Sequence, residues 1–555
     1  MPLTDLIAGL HRPDAFGYPE GTPVEVVQTH VSVVFLVGQD VYKLKKPLDL
    51  DFLDYSTLER RHHFCTLEVS LNRRLAPDVY LGVVEIRRDA AGLLHVGDTG
   101  TLVEYAVHMR RLPDDATLGH RLAHGEVDRA TLRRIGGKVH GFHRAARRGP
   151  EVSAWATFTA VAANARQNFA QLAGLGLIGE GLLTRLERWT EEALNRHHRV
   201  IEGRARRHVA CDTHGDLRVD HLYLFPDQPP PRDLVILDCI EFSEQFRCAD
   251  PIADLAFLVM DLRRVGRPDA AEALIDGYFA AYDQCLAGRA DPASSAGSAG
   301  PAGSAYEERA EGRALLPFYT AYRATVRGKV DAMKAAEPEV GPEAAAEALR
   351  SAHQHLLLAL CELQPPGLRP CIVLVAGLPG TGKSTLARAL AAEGFEWVRA
   401  DAVRKQLAGL APETPASAPV GEGIYSPAWT ERTYQHCLEL TRAAVLAGER
   451  VVVDANFKTA AQRAPFATLA HELGLPMQLL LCTGDPEVVE ERLSRRTGDV
   501  SDAGVAVYRE ASAQWEPIAR DIEVSAIDTS GAPEAAVSAA FSALARHGLG
   551  PAHPH

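Results

Sequence analysis

A glycine-rich segment, residues 377–384, has the composition of a loop that binds phosphate groups. Its letters, GLPGTGKS, fit the pattern G-x-x-x-x-G-K-[ST] in full, between an apolar strand-like run and a helix-like run. Glycines let backbone N–H groups close around phosphate oxygens, and a helix N-terminus adds partial positive charge. The pattern predicts a nucleotide site in which Lys383 reaches the β and γ phosphates and Ser384 ligates Mg²⁺. We expect the nucleotide to contact Gly377, Leu378, Pro379, Gly380, Thr381, Gly382, Lys383, Ser384 and Thr385.

Charged residues follow the next two strand-like runs. Asp401 comes at the end of the first run, with Arg404 three residues later, and Asp454 ends the run RVVVD. A carboxylate at the end of a strand beside a phosphate loop holds Mg²⁺ or its water shell, and this is the role we expect for Asp454. A later helix carries Arg492, Arg495 and Arg496 and leads into a polar loop.

This arrangement resembles the small P-loop kinases that phosphorylate hydroxyls, such as zeta toxin, polynucleotide 5′-kinase and gluconate kinase-like enzymes. The resemblance covers about 370–530. It implies that Asp401 takes the proton of the acceptor hydroxyl and that Arg404 holds the acceptor or its phosphate. It also implies that Arg495 and Arg496 neutralise the transferring phosphoryl group. A helix N-cap role for Asp401 and a solvated helical face for the arginines stay open.

A second constellation of acids occupies residues 211–256. The segment CDTHGDL contains Asp216, the run VILD ends in Asp238, and DPIADLA opens a predicted helix. A loop carboxylate followed by a carboxylate at a strand end suits phosphoryl transfer. One acid orients an acceptor hydroxyl and the other holds Mg²⁺ on the phosphates of ATP.

This set resembles the aminoglycoside phosphotransferase family of protein-kinase-like folds. The resemblance implies that Asp216 is the catalytic carboxylate and Asp238 the principal metal ligand. It also implies that Lys43 pairs with ATP phosphates. Lys45 is a rival because it faces the same side of the strand. The segment 104–107 would be the hinge that reaches adenine.

The partner of the strand lysine and the second metal ligand are less clearly specified. The resemblance favours Glu68 as the partner of the lysine, with Glu59 as its rival. The family has Asn five residues after the loop Asp, whereas this chain has His221, preceded by Asp220. Mg²⁺ prefers oxygen ligands. Either Asp220 takes the metal role or this half is a weak or altered kinase, and a structural role for His221 is equally open.

The elements that would position these residues are strands followed by helices, and then an alternation of the two. Residues 24–47 predict a β-hairpin with a turn at 38–40, and 115–205 predict helices. After residue 366, apolar strands alternate with helices, which is typical of a parallel sheet. We therefore predict an α+β protein-kinase-like N-terminal domain, followed by an α/β P-loop kinase domain with a parallel sheet.

The boundary between these domains is predicted where a long helix ends. The helix-like stretch 342–363 stops at Gln-Pro-Pro-Gly, which indicates a connector. We predict a kinase-like domain over 1–363, a linker over 364–369 and a P-loop domain over 370–555. An Ala-, Ser- and Gly-rich stretch, about 290–306, is predicted to be a flexible insertion.

Composition excludes several classes of protein. The chain has 555 residues, of which 46% are apolar and 24% charged, as in folded globular proteins. Its net charge of −13 disfavours binding to duplex DNA. The nine cysteines contain no C-x-x-C pair, which argues against a zinc ribbon and favours a reducing compartment. With no apolar run of the length of a membrane span, we expect a cytoplasmic protein.

Taken together, the two signatures resemble a bacterial family of bifunctional aminoglycoside phosphotransferase and ATP-binding proteins. The first hypothesis is a kinase that uses ATP and Mg²⁺ to phosphorylate a hydroxyl of a small molecule. The second is an N-terminal pseudokinase that regulates a C-terminal kinase. The third, a polynucleotide 5′-hydroxyl kinase, is disfavoured by the net charge.

Overall fold

The chain divides into two compact units that do not follow the predicted boundary. The structure is a computed structural model, and it describes residues 1–50, 53–287, 302–411, 414, 422–495, 504–520 and 522–550. The first unit consists of Met1–Ala162 and His197–Tyr319. The second consists of Ala163–Arg196 and Thr320–His555. The second unit therefore contains two helical stretches that the sequence assigned to the N-terminal domain.

The first unit begins with an antiparallel sheet. The strands of this unit are β1 Val24–Gln28, β2 Ser32–Val37, β3 Asp40–Lys45, β4 Asp49–Leu50, β5 Leu53–Asp54, β6 Tyr80–Arg88, β7 Leu94–Val96, β8 Thr101–Arg110, β9 Cys211–Asp212, β10 Leu222–Leu224, β11 Leu234–Ile236 and β12 Cys248–Ala249. Six of them form the sheet, in the order β1-β2-β3-β8-β6-β7, and the predicted hairpin is β2 and β3, whose turn has Gly38 at a positive φ of 54°.

Side chains alternate between the two faces of this sheet. In β3, Tyr42 and Leu44 join the core on one face, which includes Phe16 and Phe35. The lysines of β3 point to the opposite face because successive side chains of a strand alternate. The core on that face contains Cys65 and Val69 of the helix that lies between β5 and β6 in the chain.

Helices make up most of the rest of the first unit, as the sequence predicts. They are α1 Leu3–Leu10, α2 Leu58–Asn72, α3 Leu118–Ala123, α4 Arg129–Ala145, α5 Pro150–Ala154, α6 Phe158–Leu175, α7 Glu180–Arg206, α8 Glu244–Arg247, α9 Pro251–Arg264, α10 Pro268–Ala287 and α11 Ala302–Ala335. Parts of α6, α7 and α11 belong to the second unit. The protein-kinase-like assignment of the N-terminal half stays a prediction.

The second unit contains the predicted parallel sheet. Its strands are β13 Cys371–Gly377, β14 Phe395–Arg399, β15 Arg450–Asp454, β16 Met477–Thr483 and β17 Val524–Asp528. They lie in the order β14-β15-β13-β16-β17, and every pairing is parallel. All residues of β13 and β15 are buried, as in a sheet covered on both faces. The last strand, β17, was not singled out from the sequence.

The remaining helices belong to this unit. They are α12 Pro342–Leu363, α13 Lys383–Ala392, α14 Ala400–Leu407, α15 Pro427–Leu446, α16 Ala460–Leu473, α17 Pro486–Arg495, α18 Val505–Ala513 and α19 Pro533–Arg546. The bounds of α12 agree with the predicted helix 342–363. None of the helices in the described ranges is long and apolar enough to cross a membrane.

Packing explains why the boundary differs from the prediction. A Cβ added to Gly448 would lie 2.7 Å from Leu360 of α12 and 3.5 Å from Leu182 of α7. Gln354 of α12 donates a hydrogen bond to the carbonyl of Glu472, at 2.6 Å. The α12 helix is therefore part of the second unit's core and does not end the preceding domain. The predicted insertion lies largely outside the described residues, except that α11 already begins at Ala302.

Candidate functional site

The glycine-rich loop joins the central strand β13 to α13. Gly377, Gly380 and Gly382 have positive φ values of 145°, 82° and 79°. A Cβ on Gly377 would lie 2.6 Å from the carbonyl oxygen of Cys482. Glycine is required at such positions because it has no side chain and adopts positive φ at little cost. The predicted phosphate loop therefore has the position and the backbone geometry that its pattern requires.

Two polar side chains of the loop make contacts relevant to phosphate and metal binding. The ammonium of Lys383 donates to the carbonyl of Leu378 at 2.9 Å, and the hydroxyl of Ser384 donates to Asp454 Oδ2 at 2.7 Å. Burial raises the pKa of Asp454, and the nearby Lys383 opposes that shift. Hydroxyl and carboxylate oxygens suit Mg²⁺, so this pair fits the metal that accompanies a nucleotide.

The loop opens into a cleft of about 500 Å³ that brings together most of the predicted C-terminal site residues. Asp401 and Arg404 line the cleft, as do Lys383, Ser384 and Asp454. The N-cap of α14 is Arg399, and Asp401 lies in the first turn of that helix. Asp401 is therefore not the N-cap of α14, which was the other role that the sequence left open for it.

Arg404 has protein partners as well as a place in the cleft. Its guanidinium donates to the carbonyl of Ile424 at 2.7 Å and to the Thr430 hydroxyl at 3.2 Å. It also lies over the ring of Tyr425, 5.2 Å from the centroid. Arg404 is 7% exposed. These contacts fix the guanidinium in the wall of the cleft.

The arginines of α17 differ from the prediction. Arg495 is 77% exposed and pairs with Glu491 at 2.6 Å, whereas Arg492 lines the cleft. The reason is helical geometry. Arg495 comes two residues after the buried Leu493, so its side chain is rotated by about 200° from that of Leu493 around the helix axis and points away from the core. The role expected for Arg495 stays a prediction, although Arg495 does not line the cleft, and Arg496 lies outside the described residues.

The first unit gathers a second set of the predicted residues. Lys43 Nζ lies 2.9 Å from Glu68 Oε1 and 2.7 Å from Asp238 Oδ1. Lys45 Nζ lies 2.7 Å from Glu68 Oε2 and also pairs with Glu241. Both lysines thus bind the same glutamate. Of the two, Lys43 is the one that reaches the predicted metal ligand.

Asp238 has an unusual backbone conformation and lies close to Lys43 and His221. Asp238 has a positive φ of 64°, which an L-residue with a side chain rarely adopts and which is concentrated at functional sites. The nearby ammonium of Lys43 holds the pKa of Asp238 below its usual range. His221 Nε2 lies 3.9 Å from Asp238 Oδ2, and His221 Nδ1 lies 3.8 Å from Asp216 Oδ2. The imidazole of His221 therefore lies near both the predicted catalytic carboxylate, Asp216, and the predicted metal ligand, Asp238.

Two further predictions for this unit concern Asp220 as a metal ligand and the segment 104–107 as a hinge. Asp220 is 60% exposed and pairs with Arg218 at 3.4 Å, so its metal role stays a prediction. The segment 104–107 lies inside β8 and does not form a hinge after it, because its residues pair with those of β6 and, at 106 and 107, also with β3. No three His, Cys, Asp or Glu side chains in the described ranges are grouped so that they could hold a metal ion.

Asp254 is an important residue whose individual role the sequence did not reveal. Its carboxylate accepts hydrogen bonds from the backbone N–H groups of His214 and Gly215 at 3.0 and 2.9 Å, and it contacts His143 at 3.0 Å. Burial opposes ionisation, yet the hydrogen bond with His143 helps to lower the pKa of Asp254 to about 2. Asp254 therefore anchors the loop that carries Asp216. The only signal in the sequence was its position in the DPIADLA segment.

Comparisons with known proteins match this chain over two different extents. A family model described as an AAA domain matches residues 372–518. The uncharacterized protein Rv2004c of Mycobacterium tuberculosis is 31% identical over 525 residues, covering 93% of this chain and 95% of that protein. The uncharacterized protein Mb2027c of Mycobacterium bovis gives the same values.

Three of the solved structures that are similar to parts of this chain are described as kinases. A sugar kinase from Janibacter sp. is 22% identical, with 34% of this chain and 99% of that chain covered, at a TM-score of 0.26. A gluconokinase from Sinorhizobium meliloti is 22% identical, with 32% and 94% covered, at a TM-score of 0.24. A glucosamine kinase is 16% identical, with 62% and 75% covered, at a TM-score of 0.33.

Proposed function

This chain belongs to the family of the mycobacterial proteins that it matches over nearly their whole length, and from that premise we propose an activity. We propose that it is an ATP- and Mg²⁺-dependent phosphotransferase that phosphorylates a hydroxyl of a small molecule in the C-terminal cleft. The observation that carries the proposal is the hydrogen bond from Ser384 to Asp454 beside the phosphate loop, in a cleft that also contains Asp401.

Each residue of the cleft has a role in this proposal. Asp401 accepts the proton of the acceptor hydroxyl, and Lys383 balances the charge of the β and γ phosphates. Ser384 and Asp454 hold Mg²⁺ directly or through its water shell. When bound, the metal neutralises phosphate charge. Arg404 forms part of the wall beside the acceptor. Arg492, on helix α17, balances the negative charge of the phosphate groups.

We further propose that the first unit is an aminoglycoside phosphotransferase-like domain with its own nucleotide site. The contacts of Lys43 with Glu68 and Asp238 support this proposal, because a lysine held by a glutamate beside a metal-binding aspartate suits phosphate binding. In it, Asp216 is the catalytic carboxylate. The alternative is a pseudokinase, favoured by His221 in place of an oxygen ligand near Asp238.

The test uses single variants of the full chain and measures both ATP binding and acceptor labelling. Asp401→Asn is expected to lower kcat by ~10²–10⁴ while ATP still binds, because Asn cannot accept the hydroxyl proton. Glu396→Gln, an exposed acid on β14, is the matched control and is expected to leave kcat unchanged. Lys383→Ala is expected to abolish ATP binding at this site. Full activity in Asp401→Asn would contradict the proposal.

The same assay separates the alternatives when it includes sugars, aminoglycosides and oligonucleotides. If the first unit is a kinase, Asp216→Asn removes one labelling activity and spares the other. If it is a pseudokinase, Asp216→Asn leaves all turnover intact, whereas Asp238→Asn still weakens Mg·ATP binding. Labelling of an oligonucleotide 5′-hydroxyl alone would favour a polynucleotide kinase.

A further inference from the structure

The order of strands divides the C-terminal cleft into two sides. The phosphate loop follows the central strand β13, with β14 and β15 on one side and β16 and β17 on the other. Because parallel strands end at the same edge, the segments that follow them line this edge in the same order. Arg492 and Thr529 line the β16–β17 side. Asp401, Arg404 and Lys458 line the β14–β15 side.

The β14–β15 side has an excess of positive charge. It carries three cations, Arg399, Arg404 and Lys458, and two acids, Asp401 and Asp454, which leaves an excess of one positive charge. Asp454 accepts the hydrogen bond of Ser384, and its Oδ2 lies 3.9 Å from Arg399 Nε. This excess is local, since the whole chain has a net charge of −13.

The ammonium group of Lys458 can donate hydrogen bonds to a ligand. An ammonium group carries three N–H donors. In the described part of the chain, Lys458 Nζ donates to one partner, Gln514 Oε1, at 2.5 Å. The side chain is half-buried in the wall of the cleft. It can therefore bind an anion without losing its protein partner.

Neutral polar groups complete this side of the cleft. Asn456, Thr430 and Gln462 line it and supply amide and hydroxyl groups. Such groups hydrogen-bond to hydroxyls of a ligand and carry no charge. The wall therefore suits a molecule with several hydroxyls and a negative charge.

We infer that the acceptor is a polyhydroxylated small molecule that bears a carboxylate or a phosphate, bound with its reacting hydroxyl at Asp401 and its anionic group at Lys458. This inference rests on the proposed function and specifies its substrate class. An aminoglycoside does not suit this cleft, because its ammonium groups would meet the like charges of Arg404 and Lys458.

The test compares compounds that differ chiefly in charge, using the full chain saturated with a non-hydrolysable ATP analogue and Mg²⁺. D-gluconate is paired with D-glucitol, and D-glucose 6-phosphate with D-glucose, while kanamycin is the cationic probe. Binding is measured by calorimetry. At least one anionic compound is expected to bind ~10–100-fold more tightly than its neutral counterpart, as for a hydrogen bond between charged groups. The pair that shows the difference identifies carboxylate or phosphate as the source.

A matched variant locates the effect. Lys458→Gln is expected to remove the preference for the anion, whereas Lys334→Gln, an exposed lysine on α11 away from the cleft, is expected to keep it. The inference is wrong if neither anion binds more tightly than its neutral partner, if kanamycin binds best at a site that Asp216→Asn leaves unchanged, or if Lys458→Gln retains the preference.

Failure of the inference can be distinguished from failure of the proposed function. Labelling of neutral sugars with no preference for anions overturns the inference and leaves the phosphotransferase intact. Binding of an anion through Lys458 with no phosphoryl transfer supports the anion site and contradicts the activity.

Discussion

At the scale of single residues, the two lysines of β3 have different surroundings and therefore different expected roles. Lys45 is 1% exposed and is held by Glu68 and Glu241, with the ring of Tyr55 4.9 Å from its ammonium. Lys43 is held by Glu68 and by Asp238, whose side chain is 50% exposed. Lys43 thus lies at the edge of the proposed nucleotide site, whereas Lys45 is part of the core.

We predict that Lys43→Met and Lys45→Met give opposite results. In a Lys383→Ala background, which silences the C-terminal site, Lys43→Met should weaken nucleotide binding and change the melting temperature little. Lys45→Met should lower the free energy of unfolding by about 3–5 kcal/mol, because it leaves buried carboxylates without their partner. Calorimetry with Mg·ATP and chemical denaturation measure the two effects. Equal nucleotide affinity in Lys43→Met and the Lys383→Ala parent would contradict the assignment.

At the scale of elements, helix α17 packs through its apolar face onto the phosphate loop. Val489 and Leu493 form a small core with Tyr508 of α18, and Leu378 packs against it. A Cβ on Gly380 would lie 2.8 Å from Leu493. This contact fixes the rotation of α17, so that Arg492 and not Arg495 reaches the cleft.

A matched pair of substitutions tests this orientation. Arg492→Ala is expected to reduce kcat/KM for ATP by ~10–100-fold, as for the loss of a hydrogen bond to a charged group. Arg495→Ala is expected to stay within about twofold of the wild type, since a surface ion pair contributes little. Steady-state kinetics with the best acceptor measures both variants. The reverse order of effects would show that α17 is rotated differently when nucleotide is bound.

A second element-scale prediction concerns the loop at 213–216, which α9 anchors through Asp254. Asp254→Asn is expected to destabilise the protein by about 1–3 kcal/mol at pH 7, because a neutral amide replaces the buried, charged acceptor that contacts His143 and the backbone N–H groups of His214 and Gly215. The pKa of Asp254 is lowered from 3.8 to about 2, so its ionised form stabilises the fold above pH 4. That contribution is lost as the pH falls from about 4 towards 2.

Denaturant titrations of the wild type and Asp254→Asn at several pH values check this dependence. The difference in unfolding free energy should stay constant from pH 7 to about pH 4 and shrink below that. A difference that already changes near pH 6 would assign the effect to a histidine and not to Asp254.

At the scale of the whole molecule, the second unit needs helices that precede its sheet in the chain. Leu356, Leu357 and Leu360 of α12 are buried, and Leu360 lies against Gly448. Arg185 of α7 pairs with Glu449 in the same region. Removing these helices would expose apolar surface at a cost of about 25 cal/mol per Å².

We therefore predict that a fragment of residues 366–555 is less stable than one of residues 320–555. The shorter fragment should melt at a lower temperature and bind more of an apolar dye such as ANS. Thermal melts and dye fluorescence of the two fragments make the comparison. Equal melting temperatures and equal dye binding would support the boundary at 364–369 that the sequence suggests.

The sequence by itself determined the features that depend on short segments. The phosphate loop, the parallel sheet and the bounds of α12 were all predictable, because they rest on glycine spacing and on apolar runs a few residues long. Glu68 could be proposed, but only as one of two candidates. These inferences need no knowledge of what lies far away in the chain.

Only the tertiary structure decided which residues meet across long separations. It placed Lys43 in contact with Asp238, 195 residues later in the chain. It also brought the carboxylate of Asp254 within hydrogen-bond distance of the loop that carries Asp216. It also assigned α12 to the second unit and turned Arg495 away from the cleft. The reason is physical: a side chain's direction and a helix's partner depend on packing between distant segments, which local composition does not specify.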